Sequence, residues 1–518
     1  MSATFRCCRS TSSARSMRIE YIAHSCFVIE TGQKKIVFDP WITGSAYNDQ
    51  WHLFPKPVDI SLVEQADLVL ISHGHEDHMH RESLKRITKK AHVFFPFQWR
   101  KGIVGYFKHL QYKKITEAVS FKTYTVDGIR ITYLGYSLES VVVVECEGYV
   151  IVNVNDALNS NHETASQFLL EKIKDRWPKI DFLLSGWSGA GYFPNKVHYK
   201  NKDDEEVARI REQYFADNFC KFTRFLQPDI AVPFAPGFVL LRDENRWIND
   251  VKFSRQIIDS YYKEHFENDS PIEFPIMYPG DYFEEKTFRS IPGTRFSSDH
   301  ELYMNIDEIF KEEIVRANRI AWRNEEELDV LETKLTHWLN RNKVLYAKDV
   351  VSDAIFSIEF SDVRENRYFN VRSEGGKLLV NRSDHPRTDD RLLIRTQAGL
   401  LALNLEKEWG GDLLSIGYGA DVQVYDELSL EKNLDIVCMR LISRFPMFRE
   451  DFKDHAFRML RYYIGNPSLT NLWIKQKIKL RPYVNKYPFN ERDHWITYSK
   501  CDLCKVCNLP ELDFRSLP

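Results

Sequence analysis

Residues Leu68–His78 have the sequence LVLISHGHEDH. Its first five residues, Leu68–Ser72, are mostly apolar and β-prone, which predicts a buried strand that ends at His73. The polar residues that follow then lie on a loop at the carboxyl end of a strand. Four of them carry metal-binding groups: His73, His75, Asp77 and His78.

These four donors predict a site for a pair of metal ions. Neither one helix face nor one strand face can present all four together, whereas an irregular loop allows them to converge. Imidazole and carboxylate groups suit zinc and iron equally well. The alternative is a set of solvated loop histidines, which the position directly after a buried strand disfavours.

The composition excludes several classes of function. With 518 residues, of which 43% are hydrophobic and 28% charged, the chain is long enough for two or more domains. Lys and Arg (71) nearly balance Asp and Glu (74) and form no basic stripe, so nucleic acid is not an expected partner. No window reaches the ~18 consecutive apolar residues that span a bilayer, so a membrane is not expected either.

The cysteines and the amino-terminal leader bear on the compartment. Nine cysteines in a chain of this length do not suggest a disulfide scaffold, so we expect a reducing, cytoplasmic location. Residues Met1–Ser16 are rich in Ser and Arg and lack acidic residues, as organelle transit peptides do. Because a strand begins directly at Met17, we interpret this leader as a mis-assigned start, with a transit peptide as the alternative.

Strands alternate with helices from Arg18 onward. Short β-rich runs such as Lys35–Phe38 and Tyr149–Asn153 are separated by helical stretches such as Arg81–Lys90. This alternation is typical of a layered α/β domain, which we assign to residues 17–292. Residues 293–518, a helical region followed by alternating runs, are expected to form an α+β domain.

Three segments resemble the catalytic part of the CMP-N-acetylneuraminic acid hydroxylase family, within the metallo-β-lactamase superfamily. They are Tyr21–Gly44 (YIAHSCFVIETGQKKIVFDPWITG), Gln65–His78 (QADLVLISHGHEDH) and Gln227–Phe238 (QPDIAVPFAPGF). The resemblance continues more weakly through Gly186–Pro194 and Leu413–Gln423. The ascorbate-6-phosphate lactonase branch of the same superfamily is a looser match.

This resemblance implies an αββα sandwich with a dinuclear metal site. In the superfamily pattern each ion is held by one pair of loop residues: His73 with His75, and Asp77 with His78. Asp156, which follows a strand, would bridge both ions, and Asp39 would hydrogen-bond the histidine loop and orient its ligands. An ordinary turn role is the alternative for each of these two carboxylates.

Two further residues extend the predicted site. Where hydrolytic members of the superfamily carry another histidine, this chain offers Glu139, an oxygen donor that favours iron over zinc and dioxygen over hydrolysis. An exposed turn residue is the alternative for Glu139. His24, together with Asp77, is a candidate catalytic residue that could reach the cleft rim as a substrate contact or proton carrier; a structural histidine is the alternative.

The hydroxylase family is iron-dependent and receives electrons from a Rieske cluster. No Cys-x-His pair occurs in this sequence, so the electrons are expected from a separate electron-transfer protein or from a local centre. Cys501, Cys504 and Cys507 have spacings that occur in zinc and iron-sulfur sites and are the candidates for such a centre. Redox-active thiols and inert surface cysteines are the alternatives.

The sequence thus favours a diiron monooxygenase that hydroxylates a small polar substrate such as a nucleotide sugar. The alternative is a hydrolase of the lactonase or phosphoesterase type, in which two ions, zinc or iron, activate water. A binding protein that keeps the metal loop only for structure is a third hypothesis, which the complete donor set disfavours.

Overall fold

The computed structural model describes residues 17–425 except 98–101, 136–138, 160–162, 190–195, 200–202, 267–270, 293–297, 343–354, 388–391, 407–412 and 415, together with several helical positions between 457 and 471. The leader Met1–Ser16 and the three carboxy-terminal cysteines lie outside the described residues.

The strands of the described residues are, in chain order, β1 (Arg18–Ala23), β2 (Cys26–Glu30), β3 (Lys35–Phe38), β4 (Ser45–Ala46), β5 (Trp51–Leu53), β6 (Leu68–Leu70), β7 (His92–Pro96), β8 (Lys114–Ala118), β9 (Thr123–Val126), β10 (Ile129–Gly135), β11 (Ser140–Cys146), β12 (Tyr149–Asn155), β13 (Phe182–Gly186), β14 (Val197–Tyr199), β15 (Ile230–Phe234), β16 (Phe238–Leu240), β17 (Tyr282–Glu284), β18 (Thr287–Arg289), β19 (Ile355–Phe360), β20 (Tyr368–Glu374), β21 (Lys377–Ser383), β22 (Leu392–Thr396) and β23 (Ala420–Val424).

The α-helices are α1 (Ser61–Glu64), α2 (Arg81–Arg86), α3 (Ile103–His109), α4 (Glu163–Arg176), α5 (Asp204–Leu226), α6 (Ile258–His265), α7 (Asp299–Tyr303), α8 (Ile306–Ile309), α9 (Lys311–Ala317), α10 (Glu325–Asn342) and α11 (Ala398–Glu406). Within the part of the chain that the structure describes, none of the helices is both long and apolar enough to cross a membrane.

Two sheets face each other across a shared apolar core. The first has the strand order β18-β17-β1-β2-β3-β6-β7-β8, and the second has the order β15-β13-β12-β11-β10-β9. Large side chains of both sheets meet between them, among them Phe27, Phe38, Tyr133 and Phe182. Their burial, at about 25 cal/mol per Å² of apolar surface, drives the stacking of the sheets.

Helices cover the outer face of each sheet. On the first sheet, α2 and α3 pack through Leu84 and Phe107. On the second sheet, α4 and α5 pack through Leu170 and Phe219. The predicted αββα layering is therefore confirmed.

Parallel pairing decides where the functional loops emerge. In the first sheet β3, β6 and β7 are parallel neighbours, and in the second sheet β12, β13 and β15 are. Loops at the carboxyl ends of parallel neighbours meet at one edge of the sheet. Asp39 follows β3, the histidine loop follows β6 and Asp156 follows β12. The strand pairing thus places the predicted site at this edge.

A third sheet joins the two halves of the chain. Its order is β14-β23-β22-β19-β20-β21, and β14 comes from the first half. The helices α10 and α11 pack on it through Leu335 and Leu401, and the same apolar cluster includes Tyr47 and Trp51 of the first half. The second half is thus a mixed sheet with helices. The domain boundary near Pro292 stays a prediction.

Most predicted elements agree with the structure, with differences at their ends. The strand predicted at Lys35–Phe38 is β3, and the one predicted at Tyr149–Asn153 continues to Asn155. The helix predicted at Arg81–Lys90 is wrong in its second part, since α2 ends at Arg86. Ile87 there is extended (φ −68°, ψ 141°) and packs into the core under the first sheet, which overrides the helical pattern.

An ion cluster links β14 to β23. Asp421 on β23 lies 2.5 Å from Lys196 Nζ and 2.9 Å from His198 Nε2. Burial alone would raise the pKa of Asp421, but Lys196 and His198 outweigh burial and hold that pKa below its ordinary value. The Lys196 side chain is only 1% exposed, so Asp421 is the counter-charge of a buried ammonium group.

Replacement of Asp421 by Asn should lower the free energy of unfolding by about 3 kcal/mol, because the buried Lys196 ammonium loses its counter-charge. Urea unfolding measures the loss. Because the folded-state pKa of Asp421 is depressed, the stabilisation is present at neutral pH and should fade as the pH drops below about 4.

Glu406→Gln is the matched control, since it removes an exposed ion pair with Lys334. It should change the free energy of unfolding by less than about 1 kcal/mol. Equal losses of unfolding free energy in the two variants would show that the Asp421 cluster does not stabilise the contact between β14 and β23.

Candidate metal centre

The predicted ligand loop begins just after β6. The N–H groups of His78 and Met79 both donate to the carbonyl of His75, at 3.1 and 2.8 Å, which closes a tight turn. His80 then caps α2 by accepting from Ser83 N–H. The turn and the cap hold the intervening donor side chains at the sheet edge.

Side chains from this loop converge with Asp156, which follows β12, and Glu139, which precedes β11. His73 Nε2 lies 2.5 Å from His75 Nδ1 and 3.5 Å from Asp156 Oδ2. Asp156 Oδ2 is also 3.5 Å from His78 Nε2. Glu139 Oε1 lies 4.0 Å from His75 Nδ1. Asp156 thus stands between two sets of donors.

The donor atoms form three overlapping groups, within each of which all atoms lie within 4.8 Å of one another: His73, His75 and Glu139; His73, His78 and Asp156; His24, Asp77 and His78. Metal bonds of about 2.0–2.2 Å bring neighbouring ligand atoms to roughly 3 Å from one another. The donors present therefore fit a dinuclear centre, and His73 and His78 each belong to two of the groups.

Asp39 orients the histidines of this centre. Its carboxylate accepts from Ser72 N–H at 2.7 Å and from Ser72 Oγ–H at 2.8 Å. Because the Ser72 hydroxyl donates its proton to Asp39, Ser72 Oγ accepts a hydrogen bond from His73 Nδ1–H at 2.8 Å. His73 Nε2 is therefore unprotonated, and it faces the site. His78 Nδ1 lies 3.3 Å from Asp39 Oδ2, so its Nε2 faces the site too. Asn155 Nδ2 also donates to Asp39.

Asp77 is held through both carboxylate oxygens. Tyr47 O–H donates to Oδ1, and His24 Nε2 lies 2.9 Å from Oδ2. His24 Nδ1 accepts from Gly237 N–H at 3.0 Å, so the ring proton of a neutral His24 is on Nε2. At 2% exposed, His24 is buried beside Asp77, and it is among the residues that line the cavity at the donor groups.

The charges of the centre favour a cation. Burial alone would lower the pKa of His78, but the carboxylates of Asp77 and Asp156 outweigh burial and raise that pKa well above its ordinary value. Burial would likewise raise the pKa of Asp77, but His78 and His24 hold it well below its ordinary value. Negative charge is thus concentrated in a buried space, where a divalent ion would neutralise it.

A cavity of about 340 Å³ opens onto the donors, a volume within the range of small-molecule sites. Ser188 and Asn159 add polar groups to its lining. The rest of its wall is largely apolar and includes Phe215, Phe234, Ala235, Pro236 and Ile416. Ile416 comes from the second half, so both halves of the chain shape this cavity.

The structure brings the predicted site residues of the first half together: His24, Asp39, His73, His75, Asp77, His78, Glu139 and Asp156. Glu139 is only 8% exposed, so the exposed-turn alternative does not hold. The ligand and catalytic roles stay predictions. Cys501, Cys504 and Cys507, together with residues 190–194 of the Gly-rich segment, lie outside the described residues.

Three residues of the centre are not predicted from the sequence. Asn155 directly precedes Asp156 at the end of β12, and this position in the sequence could have been used to predict it. Tyr47 and Gly237 contact Asp77 and His24 across the fold, and no spacing marks them. A Cβ at Gly237 would lie 2.5 Å from His24 Cα, so this position requires glycine.

Comparison with known proteins agrees with this architecture. Residues 18–163 match the family model described as a beta-lactamase superfamily domain. This part of the chain is therefore similar to domains of that superfamily. The matched residues include the ligand loop, Glu139 and Asp156.

The chain is also similar to hydroxylases of cytidine monophosphate-N-acetylneuraminic acid. The cytidine monophosphate-N-acetylneuraminic acid hydroxylase of Danio rerio is 24% identical over 259 residues, which are 46% of this chain and 41% of that protein. The protein named inactive cytidine monophosphate-N-acetylneuraminic acid hydroxylase of Homo sapiens is 23% identical over 256 residues, 45% of this chain and 48% of that protein. The chain therefore spans less than half the length of these relatives.

Among solved structures, CmlA, a diiron beta-hydroxylase from Streptomyces venezuelae, aligns with a TM-score of 0.36 at 14% identity. The alignment covers 52% of this chain and 55% of CmlA.

Asp39→Asn should weaken metal binding by about 10- to 100-fold, because the amide disrupts the hydrogen bonds that orient His73 and His78. Competition between the protein and a zinc chelator measures the affinity, and circular dichroism checks that the variant is folded. Asp127→Asn, at an exposed carboxylate paired with Lys34, is the control and should bind zinc as the wild type does. Unchanged zinc affinity in a folded Asp39→Asn variant would contradict the orienting role.

Proposed function

We propose that this chain is a metal-dependent hydroxylase that uses two iron ions and dioxygen to oxidise a small polar substrate such as a nucleotide sugar. The observation that carries the proposal is the position of Glu139, whose carboxylate lies in one donor group with His73 and His75. A carboxylate in this place makes the donor group richer in oxygen, which favours iron over zinc.

Each ion has its own set of ligands in this proposal. His73, His75 and Glu139 would hold one ion. Asp77 and His78 would hold the other, and Asp156 would bridge the two. Two ferrous ions bound there would supply the electrons and the Lewis acidity that dioxygen activation needs. Because a hydroxylation cycle consumes electrons, a separate electron-transfer protein is the proposed donor.

The remaining cavity residues would bind and orient the substrate. Phe215, Phe234 and Ile416 would exclude water from the reacting groups. The Ser188 hydroxyl donates its proton to the buried Glu212 carboxylate, so its oxygen is left as an acceptor. Ser188 would therefore accept a hydrogen bond from a substrate hydroxyl or amide, which suits a polar substrate.

The sequence relatives support both the reaction and the substrate class. They are named as hydroxylases of cytidine monophosphate-N-acetylneuraminic acid, a nucleotide sugar. The similarity to the relative from Danio rerio extends over 259 residues. The hydrolase alternative uses the same ligands but needs no reductant, so metal identity and the response to dioxygen distinguish the two functions.

Apoprotein loaded anaerobically with ferrous iron should bind two ions per chain and change its visible absorbance when dioxygen is admitted. Glu139→His should shift the preference of the centre toward zinc, because it replaces an oxygen donor by an imidazole. This variant should keep its zinc affinity and lose the absorbance response to dioxygen. Elemental analysis and stopped-flow absorbance provide the two readouts.

Glu147→His is the control, since Glu147 lies in an exposed turn after β11 and should leave both readouts unchanged. A wild-type protein that binds two zinc ions in preference to iron and ignores dioxygen would contradict the hydroxylase and favour the hydrolase. An undiminished absorbance response to dioxygen in Glu139→His would contradict the proposed role of Glu139 in favouring iron.

A further inference from the structure

Tyr47 occupies one oxygen of the Asp77 carboxylate. Its side chain is fully buried, and its hydroxyl donates to Asp77 Oδ1. An ionised carboxylate only accepts hydrogen bonds, so the direction of this bond is fixed. The other oxygen, Oδ2, lies 3.0 Å from His78 Nε2 and is the one directed at the donor groups.

His24 differs from the loop histidines in the position of its proton. His73 carries its proton on Nδ1, which donates to Ser72, so its Nε2 has the unprotonated form that a metal ligand requires. In His24 the Gly237 N–H occupies Nδ1, and the proton is on Nε2, 2.9 Å from Asp77 Oδ2. A protonated ring nitrogen cannot bind a metal ion. His24 therefore acts on Asp77 as a hydrogen-bond donor.

The place of Tyr47 depends on the second half of the chain. Tyr47 has a left-handed backbone (φ 55°), which a bulky residue adopts only when its surroundings hold it there. Gln50 Nε2 donates to the carbonyls of both Tyr47 and Leu413, at 2.8 and 2.7 Å. A Cβ at Gly417 would lie 2.9 Å from Tyr47 Cβ, so the backbone at Gly417 packs directly on Tyr47.

We propose that Tyr47 and His24 are positioning residues that hold Asp77 so that it binds one metal ion through Oδ2 alone. The contacts at Leu413 and Gly417 keep Tyr47 in place, which gives the second half a part in building the centre. The inference rests on the metal centre of the proposed function, but not on iron or dioxygen.

Titration of the full-length apoprotein with Co²⁺ alone, in competition with a chelator, tests the role of Tyr47. Tyr47→Phe keeps the ring against Trp51 and removes only the hydroxyl. The affinity for one of two Co²⁺ ions should fall about 10- to 100-fold, while the affinity for the other stays at the wild-type value. The visible spectrum of the affected ion should also change, because Asp77 becomes free to bind through both oxygens.

Tyr112→Phe is the matched control. Its buried hydroxyl donates to the carbonyl of Leu84 at 2.7 Å, within the layer of helices on the first sheet. Both Co²⁺ affinities of this variant should equal those of the wild type. A merely structural role of Tyr47 would instead lower both affinities together with the melting temperature of the apoprotein.

Two substitutions of His24 separate a donor from a ligand. The amide of His24→Gln can offer an N–H near the position of Nε2, whereas His24→Ala offers none. Tighter binding of the affected ion by His24→Gln than by His24→Ala supports the positioning role. Equal loss in both variants would make His24 a ligand and overturn its part of the inference.

The outcomes for the wild type and for Tyr47→Phe distinguish two failures. A wild-type protein that binds fewer than two Co²⁺ ions would overturn the metal centre, and the proposed function with it. A wild type with two bound ions and a Tyr47→Phe variant with unchanged affinities and spectrum would overturn only the role of Tyr47.

Discussion

The buried carboxylate of Asp39 is the interaction on which the rest of the site depends. It follows β3 of the first sheet, accepts two hydrogen bonds from Ser72 at the start of the ligand loop, and accepts another from Asn155 at the end of β12 in the second sheet. One side chain thus joins the two sheets at the edge where their parallel strands end. Through Ser72 it also fixes which nitrogen of His73 faces the other donor groups.

Concentrated negative charge is the second constraint on the centre. Asp77, Glu139 and Asp156 reach one small space together with the imidazoles of the ligand loop, and mutual repulsion between carboxylates would oppose this arrangement unless cations balanced it. The surroundings of Asp77 suit a bound cation, because Tyr47 and His24 donate hydrogen bonds to its carboxylate and neither is a proposed metal ligand. The second half supports Tyr47 and adds Ile416 to the cavity, so the centre belongs to the whole described fold.

The sequence predicts the layered fold and the loop donors because both are local patterns. Apolar strand runs mark the sheets, and His73 to His78 lie next to one another in the chain. Asp39 and Asp156 could be predicted because each follows a recognisable strand at a place where the superfamily that the sequence resembles carries a carboxylate. Tyr47, Gly237 and Ile416 could not, since they reach the site through contacts between distant segments. The pairing of β14 with β23 could not be predicted either, because no sequence pattern links two short strands that lie far apart in the chain.

In the proposed centre one pocket holds two cations with Asp156 between them. A crystal structure of the iron-loaded protein, with anomalous diffraction recorded at the iron edge, would locate both ions. We expect two anomalous peaks, one beside His73, His75 and Glu139 and the other beside Asp77 and His78, with Asp156 in contact with both. A single peak, or two peaks with Glu139 turned away from the cavity, would contradict it.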